Sequence, residues 1–226
     1  MELKLLDDQG QSSASVPASD RATGGRGGDE SGPQQQRAIP AGFEHMAGRV
    51  TVASTVPKIR EFLEQGGTVV AIGPSTTLGY HLGLPITNAL VERNTQGVER
   101  PVGADQYYIP GSVLRVAVDS TLPVSSGMGR HVDVMYDNSP AFRLAPTAEQ
   151  QGVRRIAWYD TREPLRSGWA WGQERLEGAV AAVQAPVGQG TVYLFGPEIL
   201  FRAQPHGTFK WFFNALTGEG KGGTVP

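Results

Sequence analysis

Ser75, Glu198 and His206 are the residues whose types and placement could do acyl-transfer chemistry. Ser75 sits in Gly73-Pro74-Ser75-Thr76-Thr77, directly after the apolar run Thr68-Val69-Val70-Ala71-Ile72. A serine on a strand-to-helix turn occupies a nucleophile-elbow position. His206 lies in a polar turn with Arg202, Gln204 and Lys210, where it would serve as base, with Glu198 orienting it. Two features weigh against this triad. Thr77 replaces the second small residue of an elbow, and Pro74 removes a backbone donor. A serine at such a turn more often caps the following helix, and that is the favoured reading of Ser75.

Other chemistries find less to work with. The chain has no cysteine, which excludes disulfides, thiolate nucleophiles and thiolate metal ligands. Its four histidines, His45, His81, His131 and His206, are isolated. None stands in the His-x-x-Glu or His-Glu-x-x-His spacings that put two metal ligands on one face, so no metal site and no cofactor site are expected. His81, among Leu78, Leu82 and Leu84, reads as a packed residue. The glycines of Gly24-Gly25-Arg26-Gly27-Gly28 do not lie between a strand and a helix, so they are not a phosphate loop.

The aromatic segment Trp169-Ala170-Trp171-Gly172 is the remaining candidate. In a strand, Trp169 and Trp171 would share one face. Exposed, that face would stack on a sugar or peptide; buried, it would be core. Large aromatics are mostly buried, which favours core or interdomain packing. Arg166, with Arg162 and Arg175, is placed to bind carboxylates or to frame the strand edge.

These residues need a scaffold, and composition supplies one sizeable domain plus tails. The chain has 226 residues, 39% of them apolar and 19% charged, with 30 glycines and 16 prolines. A formal charge of -2 leaves no basic footprint for nucleic acid or an anionic membrane. No apolar run approaches the roughly 18 residues that read as a membrane-spanning helix, and no signal peptide is visible. Residues 9–36 carry almost no large apolar side chains, a composition expected to stay disordered, with Leu3-Lys4-Leu5-Leu6 ahead of them as a strand end. The expected organisation is a linker over 1–45, a domain over 46–218 and a tail over 219–226.

Within the domain, Ser54 or Thr55 caps a helix that ends at Gly66-Gly67, with Val56, Ile59, Phe62 and Leu63 as its apolar face. Strands are expected at 68–72, 112–119, 132–136, 153–159, 178–185 and 191–195. Val187-Gly188-Gln189-Gly190 reads as a hairpin turn. A last helix over 208–216 presents Phe209, Phe212, Phe213 and Leu216 on one side. A helix, a Gly-Gly turn, an apolar strand and a further turn make the rhythm of an open α/β sheet.

Several blocks together resemble a known family. They are Gly66 through Gly73 with Tyr80-His81-Leu82-Gly83-Leu84-Pro85, Tyr108-Ile109-Pro110-Gly111-Ser112, Tyr136-Asp137-Asn138-Ser139-Pro140, Leu165-Arg166-Ser167-Gly168-Trp169, and Phe195 through Lys210. Over roughly 49–216 the chain resembles the C-terminal, class I glutamine-amidotransferase-like domain of large bacterial zinc carboxypeptidases of the carboxypeptidase A-like class. The resemblance implies an open, flavodoxin-like α/β sheet, incomplete at the N-terminus and carrying added β-strands. In amidotransferases the place of Phe195-Gly196-Pro197-Glu198 reads Phe-His-Pro-Glu, so Gly196 stands where the triad histidine would be. The family's zinc belongs to a separate peptidase domain, whose ligands match nothing here. The resemblance therefore implies a noncatalytic accessory module. Its partner would be that peptidase domain or another copy of the chain; the alternative, resting on the Trp/Arg cluster, is a peptide- or glycan-binding module. The parent family implies a secreted or periplasmic setting. Arg202, Gln204, His206, Trp169, Trp171 and Arg166 are its candidate binding residues, and Ser75 the one candidate nucleophile.

Overall fold

The computed structural model describes Gly42 and residues 50–94 and 96–218. Residues 3–6 and 9–36, His45 and the segment 219–226 lie outside the described residues. The described chain opens with α1 (Thr55–Glu64). Its first turn is tied by Thr51, whose Oγ1 accepts the Ser54 N–H at 3.1 Å while its own N–H donates to Thr55 Oγ1 at 3.1 Å. Strand β1 (Thr68–Ile72) follows, then a 3-10 turn over Gly73–Thr77 and the single turn α2 (Leu78–His81). Three short strands come next: β2 (Ile86–Asn88), β3 (Val91–Arg93) and β4 (Glu99–Pro101). The longer strands are β5 (Ser112–Val118) and β6 (His131–Tyr136). After β7 (Phe142–Leu144) come β8 (Arg154–Trp158) and β9 (Leu165–Ser167). The chain then forms β10 (Val180–Val187), β11 (Gly190–Phe195) and finally α3 (Phe209–Thr217).

The strands form an open sheet in the order β1-β11-β10-β8-β5-β6, with β9 beside β5 and the β2–β7 pair attached to β10. The fold is α/β, as the sequence suggests. Its parallel part is the β1–β11 pair, in register from Thr68↔Thr191 to Ile72↔Phe195. The added strands all pair antiparallel. The expected hairpin is present: Val187 pairs with Gly190, and Gly188 takes the positive φ of 59° that the two-residue turn demands.

Strand β11 shows how the layers form. Val192 and Leu194 face the cluster that holds Val56 and Leu63 of α1. Tyr193 and Phe195 face the other way, and Phe195 packs on Trp211 of α3 with ring centroids 5.6 Å apart. Both faces of the parallel pair are thus covered by helices, as parallel strands require. Each large side chain buried this way contributes about 1.5–3 kcal/mol.

Two helix faces differ from expectation. On α1, Phe62 is 52% exposed. Six residues past Val56 is 600° of rotation, well off the Val56–Leu63 stripe, and its ring covers Gly67 instead. On α3, the buried residues are Trp211 and Ala215, at the i, i+4 spacing of one face, while Phe213 and Leu216 are exposed. The indole decides the rotation, because its Nε1–H reaches Ser125 Oγ at 3.2 Å across a buried contact.

Candidate functional site

In open α/β sheets, ligands gather beyond the C-terminal ends of parallel strands. Here those ends are Ile72 and Phe195, and a cleft of about 670 Å³ lies there, bordered by Ser75, Asp137, Pro140, Glu198, Leu200 and Phe201. The chain leaves β1 through Gly73, whose φ is +57°. That conformation right after the strand is the strained position of an elbow, so the elbow residue is Gly73 and not Ser75. Glu198 points at the same spot: a Cβ on Gly73 would overlap its Oε1. Ser75 is two residues further on, and its Oγ donates to the Ile72 carbonyl at 2.9 Å. Thr76 and Thr77 do the same, to Gly73 O at 2.7 Å and Pro74 O at 3.1 Å. The three hydroxyls stitch the 3-10 turn.

The chain leaves β11 through Gly196, which is buried and donates its N–H to Ala181 O at 2.9 Å. A Cβ at 196 would overlap the carbonyl oxygen of Pro140 and come within 3.2 Å of Ala181 O. No histidine fits there. The obstruction is the β6–β7 connection, and it is firmly built. Asn138, at a φ of +43°, donates its N–H to Ile109 O at 2.9 Å and accepts the Ile109 N–H on Oδ1 at 3.1 Å. Ser139 Oγ accepts the Asp137 N–H at 3.1 Å, and Tyr136 donates its hydroxyl to Ser139 O at 2.7 Å. Tyr136 itself is held by the hydroxyl of Tyr107 and packs edge-on against Tyr159. Burial pushes the phenols of all three tyrosines well above their ordinary range.

The structure does not bring Ser75 and His206 together. Ser75 lies in the cleft at the strand ends, whereas His206 borders two other clefts, one with His131 and Lys210 and one with Met135 and Gln204. Phe201 borders both Ser75's cleft and the second of His206's. Arg202, Gln204 and His206 are exposed, with Arg202 at 5.2 Å over the Phe201 ring and His206 5.6 Å from the Phe209 ring. Among the described residues, no group of three or more His, Asp or Glu side chains is placed to hold a metal ion.

Of the expected core or interdomain packing of the tryptophans, the core half does not hold. Trp169 and Trp171 are each 53% exposed, beside Tyr108 at 43%. They lie in the loop after β9, outside the sheet layers, where Tyr107, Ile109 and Leu176 already fill the core beneath. Tyr108 and Trp169 meet edge to face, with centroids 5.9 Å apart and planes at 60°. Arg166 turns toward Asp133, 3.8 Å away, a carboxylate it shares with Arg115.

No family model and no curated protein matches the chain. Solved structures share part of its layout. A β-galactosidase from Bacillus circulans sp. alkalophilus overlaps with a TM-score of 0.46 at 11% identity, over 76% of this chain and 24% of that one. A putative GMP synthase protein from Thermoplasma acidophilum overlaps at 0.44 and 10% identity, over 74% and 65%. A putative ThuA-like protein from Bacteroides uniformis overlaps at 0.40 and 9% identity, over 72% and 62%. The chain spans about a quarter of the β-galactosidase's length and under two thirds of the other two. These overlaps concern the arrangement of strands and helices and carry nothing about activity.

Sequence reasoning passed over Gly73, Pro140, Asn138 and Tyr108 as site residues. Gly73 had a signal available, since a glycine between an apolar strand and a Pro-Ser turn is where a positive φ belongs. Pro140 had none, because its contact with Gly196 joins residues 56 positions apart.

Proposed function

We propose that this chain is a noncatalytic accessory or substrate-positioning domain of a bacterial zinc metallocarboxypeptidase. One observation supports this reading most: both strand-end positions at which an amidotransferase-type site would carry its nucleophile and histidine are glycines, and the second is closed by Pro140. The sequence blocks that resemble the family also meet in space. Ile109 bonds to Asn138, Gly111 to Asp137, and Ser112 to Trp169. A domain with glycines at both of these strand-end positions would act through what it binds.

The partner's place is the outer edge of β1. This strand has the mostly apolar, charge-free sequence of an interior strand and helices on both faces, yet β11 is its one neighbour among the described strands. An edge free of charged residues invites pairing. The peptidase domain is the proposed occupant.

The test is to read the transcript on either side of this coding region. An in-frame or co-transcribed domain with His-x-x-Glu and a later histidine supports the assignment. A transcript without such a domain contradicts it. The alternative of a Ser75-His206-Glu198 hydrolase is the least supported, since Ser75 Oγ is committed to Ile72 O. The alternative of a ligand-binding module is favoured by the exposed tryptophans and is developed next.

A further inference from the structure

We infer that Trp169, Trp171 and Tyr108 form a stacking platform for a neutral oligosaccharide. The first observation is that the rings are exposed without being loose. Trp169 donates its N–H to Ser112 Oγ at 2.9 Å, and that hydroxyl lies 2.7 Å from Trp169 O. Ser112 is 1% exposed, so the loop is pinned to the interior. Trp171 exchanges both backbone bonds with Tyr108, each at 3.0 Å. Gly168 and Gly172, at φ values of +99° and +71°, bend the loop on either side of the two tryptophans. A five-residue loop is thereby fixed so that two indoles point outward. Folding does not require this, since water-exposed aromatic surface contributes nothing to the core. Held rings lose little conformational freedom when a ligand arrives.

The second observation concerns what the rings can still offer. The Trp171 Nε1–H is spent on Asp105 O at 2.8 Å. Its π-face remains, whereas that indole donor is no longer free for a peptide carbonyl. Recognition of extended, proline-rich peptides combines aromatic stacking with such donors. A pyranose needs only the face, because its axial C–H groups are weakly positive and an aromatic face is negative. The Tyr108–Trp169 corner, with planes at 60°, adds a second wall beside the stacked ring.

The third observation is charge. The neighbouring cations each already have a polar partner. Arg166 and Arg115 flank Asp133, and Arg175 bonds to Gln106, whose amide reaches Glu92 Oε2 at 3.4 Å. A rim whose cations are already engaged favours an uncharged ligand over an anionic one and supplies hydrogen-bonding groups for its hydroxyls. The platform is independent of the strand-end cleft and of the accessory role proposed above, so either can fail without the other.

The experiment is a titration of the full chain with cellohexaose, chitohexaose and xylohexaose, followed by tryptophan fluorescence and calorimetry, with a proline-rich decapeptide as the competing class. At least one of the sugars is expected to saturate the signal. Trp169→Ala and Trp171→Ala are each expected to weaken binding about 10-fold, or about 1.4 kcal/mol, while the chain still unfolds cooperatively on heating, because both residues lie outside the core. Trp169→Phe is expected to recover part of the loss. Failure of all three sugars to bind overturns the proposal. So does sugar binding that the alanine variants leave intact, or Trp-dependent binding of the decapeptide in place of sugar.

Discussion

Gly196 lies flat against the carbonyl of Pro140, so closely that any side chain at 196 would enter the β6–β7 connection. The strand-end corner is therefore closed by backbone, which cannot turn aside as a side chain can. Gly196→Ala is expected to cost about 3 kcal/mol, the upper end for overpacking a buried site. Urea unfolding measures this directly, and an unchanged midpoint would show that the connection yields.

Ser75 is expected to behave as a structural hydroxyl. Ser75→Ala removes the bond to Ile72 O and should lower stability by about 1 kcal/mol. The native protein should take up no fluorophosphonate label. A label found on Ser75 by mass spectrometry would restore the nucleophile reading.

The tyrosine cluster beneath the β6–β7 connection makes stability depend on alkaline pH. Burial raises the phenols of Tyr107, Tyr136 and Tyr159 above their unfolded value near 10. Between those values the folded state holds protons that the unfolded state releases, so stability is full below pH of about 10 and falls as pH rises further. Unfolding free energies measured from pH 8 to 11 should show that decline. These three residues should titrate at 295 nm only as the protein unfolds. Their titration within the native state would contradict the burial.

Two of these hydroxyls should respond differently to removal. Tyr136 donates to Ser139 O, whereas the Tyr159 hydroxyl is buried without a hydrogen-bond partner among the described residues. Tyr136→Phe is expected to destabilise by about 1–2 kcal/mol, and Tyr159→Phe to be neutral or stabilising. Equal effects in thermal melts would mean that Tyr159 has a partner.

Local sequence signals carried most of the scaffold. The apolar runs of β1 and β11, the Gly188-Gln189 turn between β10 and β11, and the glycines after α1 each specify structure through neighbours a few residues away. The errors lie where distant packing decides. Periodicity alone did not favour Trp211 over Phe213 as the buried face of α3, because the choice rests on Ser125, 86 residues earlier. Average burial pointed Trp169 and Trp171 inward, and the loop that exposes them is set by Ser112, 57 residues from Trp169. The resemblance put Gly196 where an amidotransferase carries its histidine, but the contact with Pro140 that leaves no room for a side chain there was not legible.

The most direct measurement is turnover by the purified chain, with and without added zinc, on p-nitrophenyl acetate, L-glutamine and hippuryl-phenylalanine. Every rate should equal that of buffer, and Ser75→Ala and His206→Ala should change nothing. Turnover above buffer that either substitution abolishes would contradict a noncatalytic domain.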